Sequence, residues 1–194
     1  MNMSKRSLIA IAVALGVLLL ALLIAVKTPL PGGGLPPAGE FTLQSADGPV
    51  SLQSLRGKVV LLYFGYTYCP DVCPTALVSH ASALKQLSPE ELARVAGVFV
   101  SVDPERDTLA HLKEYAQFFH PQIVGLTGSP AEIQTVAGRY GVFYAKQPAD
   151  ASGRYSVDHT SETFVIAPDG RLVARLPHGT SPDVLAAELR RWLR

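Results

Sequence analysis

Strands alternating with helices, followed by a terminal hairpin and a closing helix, predict an α/β domain with a partly antiparallel central sheet. Three observations carry the prediction. Short apolar runs rich in β-formers recur at Val59–Gly65 (VVLLYFG), around Val98–Val102 (within VAGVFVSV) and in QIVGLTG, as expected of strands covered on both faces. Segments with apolar residues at helical spacing lie between and after them. Finally, ETFVIAPDGRLVARL reads as two strands about the turn Pro168-Asp169-Gly170.

In chain order, Ser7–Val26 (SLIAIAVALGVLLLALLIAV) comes first, twenty residues without a charge. About twenty apolar residues span the hydrocarbon core of a bilayer, so 7–26 is expected to be a transmembrane anchor. A cleaved secretory signal usually has a shorter apolar stretch and small residues at its cut site, whereas this run leads into Val26-Lys27-Thr28-Pro29. Lys5 and Arg6 place residues 1–6 in the cytoplasm and the rest beyond the membrane, which points to a bacterial inner membrane with the C-terminal domain in the periplasm. No cysteine follows the apolar run, so lipid attachment there is not expected.

Residues 27–40, containing TPLPGGGLPPAGE, are rich in Pro and Gly and read as a tether. The domain, 41–194, opens with FTLQSADGPVSLQSLRGK, an alternating pattern about Ala46-Asp47-Gly48 that predicts an N-terminal hairpin. TALVSHASALKQL repeats apolar residues at Leu77, Ala81, Leu84 and Leu87 and reads as a helix. Asp107–Phe119 reads as another, with an acidic first turn. SPAEIQTVAGRY and SPDVLAAELRRWL both open with a serine suited to cap and a proline suited to the first helical position.

Of the 17 basic residues, Lys5, Arg6 and Lys27 flank the anchor, so from Thr28 onward 14 stand against 16 acidic residues, a formal charge of −2. That balance lacks the basic stripe of a nucleic-acid binder.

The chemistry concentrates in YFGYTYCPDVCPT, which holds both cysteines, Cys69 and Cys73. They fall in a strand-to-helix loop, with Pro74 suited to open the helix. At a helix N-terminus the macrodipole and free N–H groups favour the thiolate, which is both a nucleophile and a soft metal ligand. Three chemistries fit: a structural disulfide, a redox-active dithiol and a metal site. A disulfide closing so short a loop would stabilise little.

A metal site needs more ligands. The two methionines, Met1 and Met3, precede the anchor, so a thioether-rich site in the domain is excluded and the histidines remain. His80, His111, His120 and His178 read as packed or solvated. His159, in the loop VDHTSET before the strand at Phe164, lies where such a sheet brings a loop against the first strand-helix turn. Two thiolates and one imidazole suit copper as Cu(I) or Cu(II), whereas structural zinc usually takes a fourth protein ligand.

YFGYTYCPDVCP, SVDPERDT at Ser101–Thr108, VGLTGS at Val124–Ser129 and VDHTSETFVIAPDG at Val157–Gly170 resemble, in this order and spacing, the Sco/SenC family of membrane-anchored copper-binding proteins. These help assemble the copper centre of cytochrome c oxidase. The resemblance implies a thioredoxin-like fold, one copper ion on Cys69, Cys73 and His159, and Asp158 as a weak ligand or an orienting neighbour of the imidazole. It implies a metallochaperone whose partner is the oxidase's copper-binding subunit, served by a periplasmic copper donor or a thiol reductant. The alternative it allows is a thiol-disulfide oxidoreductase in which Cys69 and Cys73 are catalytic and reduce the oxidase's cysteines. Many redox thioredoxins place a proline before the strand that corresponds to Phe164, where this sequence has Ser161, which weighs against general disulfide exchange.

Overall fold

The computed structural model describes Gly16 and residues 39–194 of the chain. The expected anchor at 7–26, apart from Gly16, and most of the tether at 27–40 lie outside the described residues. Among the described residues, no helix is long and apolar enough to cross a membrane.

The first hairpin forms as its alternation predicts. β1 (Thr42–Ser45) and β2 (Gly48–Ser51) pair antiparallel across Ala46-Asp47, and Ser45 Oγ donates to the Gly48 carbonyl at 2.7 Å. The hairpin is tied to the main sheet through Gln44 and Thr127, which exchange two backbone hydrogen bonds of 2.8 and 2.9 Å.

The main sheet is built around β3 (Val59–Gly65), whose seven residues are all buried. Parallel to it runs β4 (Val95–Ser101), and beyond that β5 (Ile123–Leu126). On the other side β8 (Thr163–Ile166) and then β9 (Leu172–Leu176) run antiparallel, giving the order β5-β4-β3-β8-β9. A strand bonded on both edges and covered on both faces excludes water from every residue, which explains the unbroken apolar run of β3. A separate ribbon, β6 (Tyr144–Lys146) with β7 (Val157–His159), sets Tyr144 opposite His159.

Five described helices accompany the strands. α1 (Val72–Leu84) and α5 (Pro182–Leu193) pack on each other, α5 reaches β3, and α3 (Leu109–Phe119) lies along β5. α2 (Pro89–Ala93) is a short turn of helix with a full capping box from Ser88 and Glu91. α4 (Pro130–Tyr140) has the same box from Ser129 and Glu132, with Pro130 in its first turn, as the sequence predicts. Ser181 caps α5 by accepting from the Val184 N–H.

Three local expectations are corrected. Cys73 is not in the loop ahead of the helix: α1 starts at Val72, so Cys73 sits in its first turn with Pro74 behind it. First-turn N–H groups have no intrahelical partner, so a proline is tolerated there. Asp107 is not a helix residue, since Thr108 caps α3 and Asp107 is buried before it. His159 ends a strand rather than lying in a loop, because a three-residue strand whose partner lies across residues 147–156 leaves no period to read.

Phe164 of β8 lies at the centre of the core, meeting Phe64 and Tyr140 edge-on with ring centroids 5.8 and 5.6 Å away. Phe164→Ala is expected to lower unfolding stability by about 3–5 kcal/mol in urea titrations, the usual loss for emptying a buried aromatic site.

Candidate metal centre

The end of β3 and the first turn of α1 set the two sulfurs. Cys69 Sγ accepts the Cys73 backbone N–H at 3.4 Å, so the chain between them wraps round the Cys69 sulfur. Gly65 is required beside them: a Cβ there would stand 2.7 Å from Cys73 Sγ and 2.9 Å from Phe99 Cε2. Cys73 is fully buried, while Cys69 is 8% exposed and lines a surface groove.

The third group arrives from β7. His159 Nε2 lies 3.2 Å from Cys73 Sγ, and its Nδ1 lies 3.0 Å from the Thr160 carbonyl oxygen. A carbonyl only accepts, so Nδ1 carries a proton and Nε2 is the nitrogen turned toward the sulfurs. The ring is held edge-on by Tyr63 and Tyr66, at centroid distances of 6.1 and 5.9 Å. One ligand atom each from Cys69, Cys73 and His159 lies within 4.8 Å of the other two, and this is the one such cluster found among the described residues.

Both cysteines are free thiols, and they are electrically unequal. Hydrogen bonding from Cys73 pulls Cys69 down to about 3; burial opposes it, and the Asp71 and Cys73 N–H groups assist. Cys73 is pushed far above the usual thiol range, first by its bond to Cys69 and then by burial. The pair therefore holds one thiolate near the surface and one proton inside.

Asp158 faces away from this cluster, as alternation along β7 requires. Its carboxylate accepts Gln147 Nε2 at 2.7 Å, and the Thr160 carbonyl takes the orienting place beside His159. Asp158 nevertheless borders the groove of about 390 Å³ that exposes Cys69, together with Tyr66, Val72, Val157 and His159. The remaining four histidines are elsewhere: His80 is buried with Nε2 2.8 Å from Thr163 Oγ1, His111 lies on α3 with its ring centroid 5.8 Å from that of Tyr68, His120 Nδ1 accepts the Gln122 N–H, and His178 is exposed in a turn. Burial holds His80 down to about 4, so it is neutral at pH 7.

Two anchors from SVDPERDT hold the site together. The buried Asp107 carboxylate accepts the Thr67 N–H at 3.0 Å, the Thr67 hydroxyl at 2.5 Å and the Ser101 hydroxyl at 2.6 Å, fixing the loop two residues ahead of Cys69. Arg106 pairs with Asp103 at 2.5 Å, donates to the Tyr155 carbonyl at 2.9 Å and lies 3.6 Å from the Tyr155 ring centroid. Tyr155 in turn donates to Asp103 at 2.9 Å, so the strand entering His159 is anchored to the end of β4.

A family model described as SCO1/SenC matches residues 33–194. The chain belongs to the SCO1/SenC family. It is 42% identical over 151 residues to an Arabidopsis thaliana protein named Protein SCO1 homolog 1, mitochondrial, covering 77% of this chain and 45% of that one, so it spans about half the length of that relative. It is 34% identical to a SCO2-like protein of Rickettsia conorii over 95% of each chain. Among solved structures, Bradyrhizobium japonicum ScoI with copper bound is 41% identical at a TM-score of 0.74, over 81% of this chain and 99% of that one. The fold is thus the mixed α/β, thioredoxin-like fold of Sco proteins.

Within this SCO1/SenC chain, reasoning from residue types left Asp103, Arg106 and Asp107 without a role. Asp107 had a readable signal, an acid directly before the threonine cap at Thr108, but nothing in the sequence shows that it turns inward toward Thr67.

Two outcomes follow from the site. Asp107→Ala strands the Thr67 and Ser101 donors and is expected to lower unfolding stability by about 3 kcal/mol, measured by denaturant titration. Cys69 is expected to react with iodoacetamide at pH 5 while Cys73 does not, because a thiol with lowered pKa stays ionised in acid and one with raised pKa stays protonated; mass spectrometry of the alkylated peptides distinguishes the two.

Proposed function

We propose that this protein is a copper metallochaperone: it takes one copper ion on Cys69, Cys73 and His159 and passes it to the copper-binding subunit of cytochrome c oxidase. The observation that carries the reading is the 3.2 Å approach of His159 Nε2 to Cys73 Sγ, beside a second cysteine that lines a surface groove. Copper is the cargo here rather than a resident cofactor. Two soft sulfurs and one nitrogen form a set that accommodates Cu(I), and the imidazole supports Cu(II). Membership in the family and the likeness to a copper-bound ScoI point the same way.

Release follows from the burial of the ligands. An incoming thiolate of the acceptor meets Cys69 first, at the groove, and displaces it; Cys73 and His159 yield afterwards, so the ion always keeps ligands. In this reading residues 7–26 anchor the chain in the bacterial inner membrane and 27–40 tether the domain on its far side. Tethering raises its effective concentration toward a membrane-bound acceptor.

A second reading, thiol-disulfide exchange, is favoured by the unequal thiols. The Cys69 thiolate attacks an acceptor disulfide to form a mixed disulfide, and Cys73 loses its proton and displaces the acceptor's second sulfur. The acceptor gains two electrons as two thiols, Cys69 and Cys73 become a disulfide, and an external thiol reductant must restore them. A Cys73→Ser variant traps the mixed disulfide if this reading holds.

His159→Ala is expected to weaken Cu(II) binding at least tenfold in competition titrations and to slow transfer of copper to the oxidase subunit. Unchanged affinity and unchanged transfer would remove His159 from the function.

A further inference from the structure

Three elements carry the metal centre or its supports at one end, and each carries an exposed cation at the other. β3 leads into the Cys69 loop and is preceded by Lys58; α1 holds Cys73 in its first turn and closes on Lys85; β4 ends at Ser101, a donor to Asp107, and is preceded by Arg94. The 13 residues of α1, at 1.5 Å each, put about 20 Å between the two ends. At the far end the cations are neighbours. The Val59 N–H donates to the Arg94 carbonyl at 2.9 Å, and α5 finishes against the same place, with Arg190 3.0 Å from Glu91 and donating to the Gln86 carbonyl beside Lys85. Arg191 and Arg194 follow, both exposed.

The carboxylates at this end are already engaged. Glu91 meets Arg190, Glu188 accepts Trp192 Nε1 at 2.9 Å and lies 3.8 Å from Arg191, and Glu90 accepts the Ser88 hydroxyl at 2.7 Å. At the margin Asp169 and Glu40 pair with Arg171 and Arg56. Lys58, Lys85, Arg94 and Arg194 form no ion pair among the described residues. A helix C-terminus favours a cation by itself, which accounts for Lys85, but Lys58 precedes a strand and has no such reason. The groove end has the opposite sign: Asp71 and Asp158 border it, and no Lys or Arg among the described residues lines it.

We propose that this basic end is a docking surface for an anionic lipid bilayer, which holds the domain with its copper groove turned away from the membrane. The inference rests on residues 7–26 anchoring the chain. Two observations select a bilayer as the occupant. The described chain enters beside this end, Glu40 pairing with Arg56 two residues ahead of Lys58, so the 38 residues before Gly39 lead to it. The charge is also complementary, and each Lys or Arg near an anionic surface strengthens binding about fivefold. Nucleic acid, the other large polyanion, asks for a longer basic stripe than a chain of formal charge −2 from Thr28 onward provides.

Trp192 is the one tryptophan of the chain and belongs to this end, so its fluorescence reports contact. The full chain is reconstituted into zwitterionic vesicles that carry a nitroxide quencher on the lipid headgroup, with and without phosphatidylglycerol. Trp192 quenching is expected to be at least about twofold stronger with the anionic lipid at low salt. It is expected to vanish in about 1 M salt, where charges are screened beyond about 3 Å. The triple variant Lys58→Glu, Lys85→Glu, Arg94→Glu is expected to lose it too, while unfolding in urea as wild type does. Wild-type quenching that ignores phosphatidylglycerol or salt would overturn the inference whether or not the variant folds, and so would a folded variant that is quenched as wild type is. Flotation reads the anchor separately: a chain that leaves purely zwitterionic vesicles in high salt would overturn the anchor. Quenching that depends on phosphatidylglycerol in that case would still support the docking surface.

Discussion

The buried carboxylate of Asp107 is the constraint on which the centre depends. It lies just ahead of α3, takes three donors from Thr67 and Ser101, and so ties the loop that carries Cys69 to the end of β4. A carboxylate inside a protein is tolerable only when its oxygens are occupied, which makes the arrangement close to all-or-none. One residue earlier Arg106 does the same for the other half of the site, holding Tyr155 and with it the strand that ends at His159. One short segment between β4 and α3 therefore sets the distance between groups 86 residues apart in sequence.

Electrostatics then follow from geometry. Because the Cys69 sulfur sits over the first turn of α1, with backbone N–H groups and the Cys73 thiol directed at it, negative charge is stabilised there before any metal or partner arrives. Cys73, deeper and already donating, keeps its proton. The Thr160 carbonyl accepts from His159 Nδ1 and leaves Nε2 facing the sulfurs. The site is thus assembled in advance, and little side-chain ordering remains to oppose binding.

The sheet was legible because a strand buried on both faces leaves an unbroken apolar run, as at Val59–Gly65, and because serine-proline pairs mark helix starts at Ser129 and Ser181. Cys69, Cys73 and His159 were legible as candidates from residue type and from where a strand-helix turn and a later loop meet. The short β6–β7 ribbon was not, since three-residue strands carry no period. Nor were the inward turn of Asp107, decided by Thr67 40 residues away in sequence, or the outward turn of Asp158, set by its place on β7. A carboxylate adjacent to a histidine in sequence is on the opposite face of a strand, and only the strand assignment shows it.

The central claim is that two sulfurs and one nitrogen from this chain form a single ready-made site. X-ray absorption at the copper edge, on the full chain loaded with one equivalent of Cu(I) under exclusion of oxygen, tests it most directly. The account predicts a first shell of two sulfurs and one nitrogen, with the nitrogen lost in His159→Ala and one sulfur lost in Cys69→Ser. A shell with no nitrogen in the wild-type protein, or one that His159→Ala leaves unchanged, would contradict it.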